Sequence, residues 1–194
     1  MRTYGSIVEC LQNIEGLHEK IIGVSGGSCS GKTYFSALLA KKLNGSVLSM
    51  DDYYKGRSRM KNDDFDSPEA IDLDLWERHL TAVKKGSVIQ RPSYDFTLRE
   101  RTGEGEWRPV FPVVAEGLFS LLSPQSEILD LKIFIFAEDT VALQRRVARD
   151  LGTRESDESK IRERWERFVR PRYQQSIACQ YKSADIVVLN SCFL

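Results

Sequence analysis

The sequence predicts an α/β protein whose doubly wound, mostly parallel sheet has five strands and is flanked by helices. The first reason is that short runs of β-branched and aromatic residues alternate with amphipathic helical patterns along the chain. The second is that these runs lack polar alternation, which is typical of parallel strands covered by helices on both faces. The predicted strands are 20–25, 46–50, 111–116, 131–137 and 184–189.

The helices and the irregular segments follow from the same periodicity. Asp72 is expected to cap the third helix, and Gly86 is expected to end it. Residues 87–110 have the pattern of an antiparallel hairpin, so they predict a small β excursion from the sheet. No stretch has the composition of a linker, and we therefore expect residues 1–194 to form a single domain. The predicted helices are about 4–18, 32–43, 72–85, 138–151 and 157–180.

Composition and charge argue against several classes of function. The 194 residues are 41% hydrophobic and 29% charged, and 28 basic side chains balance 28 acidic ones. A net charge of zero provides no basic field for nucleic acid, and no apolar run approaches the roughly 18 residues of a membrane span. The cysteines have no CxxC spacing, which argues against a disulfide framework or zinc site and favours a reducing cytoplasm. They are Cys10, Cys29, Cys179 and Cys192.

A phosphate-binding loop is the strongest single motif. Gly26, four residues and then Gly31-Lys32-Thr33 fit the P-loop pattern, with a predicted strand before it and a predicted helix after it. Glycines let backbone N–H groups curl around phosphate oxygens, and the helix start adds its positive dipole end. Lys32 would neutralise the β and γ oxygens of a nucleoside triphosphate, and the Thr33 hydroxyl would ligate Mg²⁺. The predicted loop comprises Gly26, Gly27, Ser28, Cys29, Ser30, Gly31, Lys32 and Thr33.

Two carboxylates lie at the strand ends where ligands bind in such sheets. Asp51 follows the second predicted strand, and Glu116 ends the third. Asp51 can hold Mg²⁺ or accept the proton of a hydroxyl substrate, although an Asp pair serves turn formation and capping equally well. The adjacent Tyr53-Tyr54 favours a binding site, because tyrosine rings pack on ring-bearing ligands. Glu116 is predicted to complete the metal shell.

Four arginines crowd the end of the fourth predicted helix. Arg145, Arg146 and Arg149 lie in the helix, Arg154 follows it, and the spacing of Arg146 and Arg149 puts them on one face. Arginines supplied in cis neutralise charge on a transferred phosphoryl group. A basic helix that leads into a polar stretch is typical of a closing lid, which we predict at 145–165. The alternative is a solvated basic face balanced by nearby acidic residues.

Eight motifs, taken in their order, resemble those of the uridine kinase family of P-loop nucleoside kinases. They run from about residue 20 to residue 189, so the resemblance covers most of the chain. YDF following FDxPxAxD is a more specific signal than the P-loop. The motifs are GVSGGSCSGKT (23–33), DDYY (51–54), FDSPEAID (65–72), YDF (94–96), EG (116–117), RRVARD (145–150), FVRP (168–171) and ADIVV (184–188).

The resemblance implies a P-loop kinase that transfers the γ-phosphate of ATP, with Mg²⁺, to the 5′-hydroxyl of a nucleoside such as uridine or cytidine. It also implies a tendency to form homo-oligomers. Asp51 matches the family's catalytic carboxylate, and Asp66 and Arg146 match the pair that binds the ribose hydroxyls. The other matches are Tyr54, Tyr94 and Phe96 around the acceptor, Thr33 and Glu116 at the metal, and Arg149 and Arg154 facing the phosphates.

Three positions depart from the family pattern. Arg99 stands where the family has a histidine that contacts the pyrimidine edge, and Ser156 and Arg164 replace an arginine and a glutamine near the lid. Arginine is a donor only, so Arg99 suits a carbonyl-rich base or an anionic acceptor. Two alternatives therefore stay open: a kinase of another metabolite, such as nicotinamide riboside or a sugar phosphate, and a nucleotide-binding regulator without transfer activity.

Overall fold

The computed structural model describes residues 1–59, 64–155 and 157–191, and it confirms the α/β class. The strands are β1 (Arg2–Tyr4), β2 (Ile21–Gly26), β3 (Ser46–Ser49), β4 (Ile89–Asp95), β5 (Glu100–Trp107), β6 (Val113–Glu116), β7 (Leu131–Phe136) and β8 (Ile186–Leu189). Parallel pairing joins six of them in the order β1-β8-β7-β2-β6-β3. The other two, β4 and β5, form the antiparallel hairpin predicted at 87–110.

The helices cover both faces of this sheet. They are α1 (Ile7–Asn13), α2 (Lys32–Leu43), α3 (Leu73–Lys84), α4 (Asp139–Asp150) and α5 (Glu158–Arg164), with 3₁₀ turns at Met50–Tyr53, Arg57–Arg59, Pro68–Ala70 and Gln125–Ile128. The Asp72 side chain caps α3 by accepting from Leu75 N (3.2 Å), as predicted. In the part of the chain that the structure describes, none of the helices has both the length and the apolar character needed to cross a membrane.

The N-terminal segment corrects two expectations, a five-stranded sheet and a helix over 4–18. Arg2–Tyr4 form a sixth strand that pairs with β8, and α1 runs only from Ile7 to Asn13. The Ser6 side chain caps the helix by accepting from Glu9 N, and the extended backbone of Ile14 ends it. Strand β1 could not be predicted from the periodicity of the sequence, because it has only three residues. It forms by pairing with β8, which lies at the other end of the chain.

A C-terminal helical segment, residues 165–183, follows α5 with an irregular helical register. It is π-helical at Trp165–Val169 and Tyr173–Ile177, α-helical at Arg170–Arg172 (α6) and 3₁₀-helical at Ala178–Ser183. Pro171 lies between the two π turns; it has no N–H to donate, and its ring crowds the carbonyl one turn back. The helix accommodates it by widening, as the N–H of Arg170 bonds to Trp165 O, five residues back. The predicted helix over 157–180 is therefore present but not regular.

Alternate residues of the central strands belong to two hydrophobic clusters, one on each face of the sheet. In β7, Ile133 and Ile135 join the cluster under α1 and α2, whereas Phe134 joins the cluster under α3 and the C-terminal helical segment. All six residues of β2 are buried, which leaves the loop after it anchored on a rigid base. This burial explains why the strands read as continuous apolar runs in the sequence.

Candidate active site

The phosphate-binding loop leaves β2 and enters α2 at Lys32. Gly31 has a left-handed φ of +98°, and a Cβ there would lie 2.4 Å from Asn190 Nδ2. Glycine is therefore needed both for the backbone and for the close approach of Asn190, which also donates to Ser30 O (2.8 Å). Because Gly31 has no side chain to cap α2, the first N–H groups of the helix are left for an anion.

Lys32 brings a positive charge back over this loop. Its side chain is largely buried, and Nζ donates to Gly27 O (3.4 Å). It borders the same cavity as Ser28 and Asp51. The ammonium group is thus held beside the loop, where it can neutralise phosphate oxygens.

Glu116 is a buried carboxylate between the loop and the neighbouring strand. Parallel pairing puts it beside both Val24 of β2 and Ser49 of β3. Its Oε2 accepts from Thr33 Oγ1 (3.3 Å) and its Oε1 from Ser49 Oγ (2.7 Å). Burial raises the pKa of Glu116 above its ordinary value, although the Lys32 charge acts in the opposite direction.

The side chains predicted to hold Mg²⁺ meet at this edge of the sheet. Thr33 contacts Glu116, and the charge of Asp51 is close enough to raise the pKa of Glu116 further, after burial and Lys32. Hydroxyl and carboxylate oxygens are the donors that Mg²⁺ prefers. Among the described residues, no three or more His, Cys, Asp and Glu side chains form a metal-binding group. The Thr33 hydroxyl and the carboxylates of Asp51 and Glu116 are donors of the kind that fits Mg²⁺.

Three of the predicted arginines gather around Asp150, which sequence reasoning did not select. Arg149 contacts both carboxylate oxygens, with Nε 2.7 Å from Oδ1 and Nη2 3.2 Å from Oδ2. Arg146 lies 3.4 Å and Arg154 3.9 Å from the same carboxylate. Burial alone would raise the pKa of Asp150, but Arg149 and the other arginines hold the pKa below its ordinary value. One carboxylate thus holds three guanidinium groups together. The sequence could have indicated this role, because Arg146 and Asp150 are four residues apart and so share a face of the helix.

Arg146 links the phosphate-binding loop to the buried Asp66. Its Nη1 donates to Ser28 Oγ (3.0 Å) and lies 3.7 Å from Asp66 Oδ1. Burial raises the pKa of Asp66, and Arg146 is the strongest of the charges that oppose this rise. The backbone N–H of Asp66 donates to Asp64 Oδ1 (3.2 Å), and Asp64 Oδ2 accepts from Arg172 Nε (2.7 Å).

An aromatic cluster adjoins Asp66. Tyr54 is its centre, with ring centroids 5.3 Å from Tyr94, 5.7 Å from Phe65 and 6.1 Å from Phe96. Arg101 of β5 fixes the hairpin to this cluster, because it donates to the carbonyl oxygen of Tyr54 at 2.8 Å. The predicted aromatic residues are therefore brought together, and Phe65 joins them from within the FDSPEAID motif.

One cavity of about 240 Å³ connects the loop, the arginines and the aromatic cluster. Of the other predicted residues, Tyr94 contacts the rings of Tyr54 and Phe96, and Thr33 donates to Glu116. Arg99 and Arg164 both border the cavity, whereas Ser156 lies outside the described residues. The predicted residues that line it are Ser28, Lys32, Asp51, Tyr54, Asp66, Phe96, Arg99, Arg146, Arg149 and Arg154.

The fold and the loop together define the class as an α/β P-loop kinase. A solved structure of a possible uridine kinase from Bacillus stearothermophilus has the same fold, with a TM-score of 0.59 and 17% identity, covering 94% of this chain and 96% of that one. The model of the Phosphoribulokinase / Uridine kinase family matches residues 21–191. The chain belongs to that family.

Curated relatives share about a third of their residues with the chain. The uridine kinase of Ligilactobacillus salivarius (strain UCC118) is 33% identical over 178 residues, which cover 87% of this chain and 84% of that protein. Uridine-cytidine kinase-like 1 of Mus musculus is 33% identical over 181 residues, 86% of this chain. The match spans 33% of the length of the mouse protein.

Proposed function

We propose that the chain is an ATP-dependent kinase that transfers the γ-phosphate to the 5′-hydroxyl of a nucleoside, uridine or cytidine. The observation that carries this proposal is a cavity bordered both by Lys32 of the phosphate-binding loop and by the Asp66–Arg146 pair. The family match and the uridine kinases among the relatives support the same reaction.

On the phosphate side, the proposed roles follow from charge. Lys32 and the N-terminus of α2 bind the β- and γ-phosphates, while Arg149 and Arg154 neutralise the charge that spreads over the transferred group. Phosphoryl transfer depends mainly on positioning and electrostatic stabilisation, so these fixed cations supply most of what the step needs. Asp150 keeps the arginines assembled before the substrate binds.

On the acceptor side, Asp66 accepts hydrogen bonds from the ribose hydroxyls and Arg146 donates beside it. Phe96 and Phe65 contact the planar base, with Tyr54 behind them. This arrangement directs the 5′-hydroxyl toward Asp51, which accepts its proton as the oxygen attacks the γ-phosphorus. The bond that forms joins the 5′-oxygen to phosphorus, and the bond that breaks releases ADP.

Thr33, Asp51 and Glu116 would hold Mg²⁺ at the loop. When bound, the ion would neutralise part of the negative charge on the phosphates. We further propose that residues 1–194 act as one cytoplasmic kinase domain on a small-molecule acceptor, with 87–110 beside the acceptor and 145–165 as the lid. The zero net charge supports an acceptor other than nucleic acid.

Two neighbouring carboxylates provide the test. Asp51 borders the cavity, whereas Asp52 faces the hairpin and pairs with Arg91 (3.4 Å). We expect Asp51→Asn to lower uridine-dependent ATP consumption by at least about 100-fold while ATP still binds, since the proton acceptor is lost. Asp52→Asn should stay within about threefold of the wild type, as expected for a partly exposed ion pair.

Two results would contradict the proposal. One is near-normal turnover in Asp51→Asn, which would remove Asp51 from the reaction. The other is a wild-type protein whose ATP consumption is unaffected by uridine and by cytidine; stimulation by nicotinamide riboside or a sugar phosphate would then identify another acceptor.

A further inference from the structure

We infer that Arg99 makes the acceptor site selective for a base whose outer edge presents a carbonyl oxygen, so that uridine is strongly preferred to cytidine. This preference presupposes the nucleoside kinase function proposed above, which leaves the base open between the two. It concerns a residue that differs from the family pattern, and therefore a property of this chain in particular.

A chain of contacts orders the cavity from the phosphate-binding loop to Arg99. Ser28 of the loop bonds to Arg146 (3.0 Å), and Arg146 lies 3.7 Å from Asp66. Phe65 precedes Asp66 in the sequence, and the guanidinium carbon of Arg99 lies 5.9 Å from the centre of the Phe65 ring. A nucleoside with its ribose at Asp66 and its 5′-hydroxyl toward the loop thus places its base against Phe65 and Arg99.

The backbone of Arg99 has a conformation that residues other than glycine rarely adopt. Its φ is +56°, in the left-handed region that favours glycine and asparagine. Asp95 Oδ1 fixes the turn by accepting from Thr97 N (2.7 Å) and Leu98 N (2.9 Å), and Arg99 O accepts from Arg57 N (2.8 Å). Backbone strain of this kind clusters at ligand sites, and Arg99 borders the cavity.

The chemistry of the guanidinium group determines which base edge it accepts. It has five N–H donors and no acceptor, and it stays charged at any physiological pH. Uracil presents a carbonyl oxygen at the ring position where cytosine presents an amino group. Uracil can therefore accept from Arg99, whereas the cytosine amino group would face it donor to donor.

Two further cations strengthen the same preference. Arg154 lies over the Phe96 ring, 4.6 Å from its centre, and Arg164 also borders the cavity. Their positive potential favours the carbonyl oxygen of uracil, which carries partial negative charge, over the cytosine amino group, whose hydrogens carry partial positive charge. The aromatic wall binds either base, so the discrimination comes from the arginines rather than from stacking.

The experiment compares kcat/KM for uridine and for cytidine in competition, using the full chain with ATP and Mg²⁺. For the wild type we expect uridine to be favoured by at least about tenfold, because uracil accepts a charge-assisted hydrogen bond that the cytosine amino group cannot accept. Arg99→Gln supplies both a donor and an acceptor, so the ratio should fall to within about threefold of unity. Arg99→Lys remains a donor only and should retain most of the preference.

Arg108→Gln is the matched control, because Arg108 lies beyond the hairpin strand β5 with its side chain 73% exposed. It should leave the ratio unchanged. Equal use of the two nucleosides by the wild type, or an unchanged ratio in Arg99→Gln, would overturn the inference while leaving the kinase proposal intact. Failure of the wild type to phosphorylate either nucleoside would overturn the proposed function and the inference with it.

Discussion

At the scale of single residues, the buried carboxylate of Glu116 lowers the stability of the folded protein when it is ionised. It is almost fully buried between β2 and β3, and two hydroxyl groups donate to it. Burial nevertheless outweighs these bonds and the Lys32 charge, so the pKa of Glu116 is raised. A carboxylate of this kind disfavours the folded state without a metal ion and becomes favourable only when a cation binds.

Glu116→Gln should therefore stabilise the metal-free protein at about pH 8, where the wild-type carboxylate is ionised in the unfolded chain and penalised in the folded one. Each kcal/mol of relieved cost corresponds to a rise in Tm of about 2–4 °C. The gain should shrink as the pH falls through the raised pKa of Glu116, because the folded protein then takes up the proton that relieves the penalty. Thermal unfolding at several pH values checks this.

Two comparisons complete that measurement. Glu106→Gln, at a largely exposed position of β5, should change Tm little at any pH. Glu116→Gln should also lower nucleoside-dependent turnover by at least about 100-fold, since a ligand of Mg²⁺ is lost. A Tm below that of the wild type at about pH 8 would show instead that the bonds from Thr33 and Ser49 outweigh the cost of burial.

At the scale of elements, the C-terminal helical segment reaches across to the acceptor site. Arg172 of α6 bonds to Asp64 (2.7 Å), and Asp64 in turn accepts from the N–H of Asp66 (3.2 Å). Asp64 is buried, with 7% of its surface exposed, so loss of Arg172 would leave a buried carboxylate without this ion pair. Arg172 is thus a positioning residue: it holds the loop that carries Asp66 and does not itself border the described cavity.

Arg172→Met should raise KM for the nucleoside by about tenfold and leave KM for ATP within about twofold, because only the Asp66 loop loses its support. Arg172→Lys should recover part of the loss by restoring the charge without the planar fork. The control is Arg162→Met, whose side chain pairs with Glu158 on the surface of α5. Equal changes in both KM values, or none, would refute a role specific to the acceptor side.

How much of the site the sequence predicts depends on how local each contact is. Lys32 and Thr33 belong to one continuous motif, Asp51 closely follows β3, and Glu116 is the last residue of β6. Parallel pairing of β3 and β6, which opposes Ser49 to Glu116, then brings the motif and the carboxylates together. These residues were predictable because strand, loop and helix each carry a local signature.

The contacts that the sequence did not predict join distant segments without a periodic signature. Asp64 and Arg172 are 108 positions apart, and Asn190 reaches Ser30 across 160. Strand β1 exists only because Arg2–Tyr4 pair with β8. Such contacts depend on tertiary packing. The composition of the chain and the spacing of its motifs do not reveal which distant residues will meet.

At the scale of the whole molecule, the N-terminal segment belongs to the same core as the site. The family match begins at residue 21, yet Ile7, Cys10 and Ile14 are buried in the cluster beneath α2 and the central strands. A Cβ placed on Gly31 would lie 3.5 Å from Ile7 Cδ1, so α1 packs directly behind the phosphate-binding loop. The loop is thereby supported from below, while its upper side faces the cavity and the acceptor residues.

In the proposed mechanism, one cavity binds both the phosphates of ATP and the hydroxyl acceptor. The most direct test is to follow which product receives the γ-phosphate. The purified protein is incubated with Mg²⁺ and ATP radiolabelled at the γ-phosphate, with and without uridine, and the products are separated. We predict that the label appears in uridine 5′-monophosphate, and that the Asp51→Asn protein forms at least about 100-fold less of it. Label released only as inorganic phosphate, at the same rate with and without uridine, would contradict this, because the cavity would then bind ATP without an acceptor.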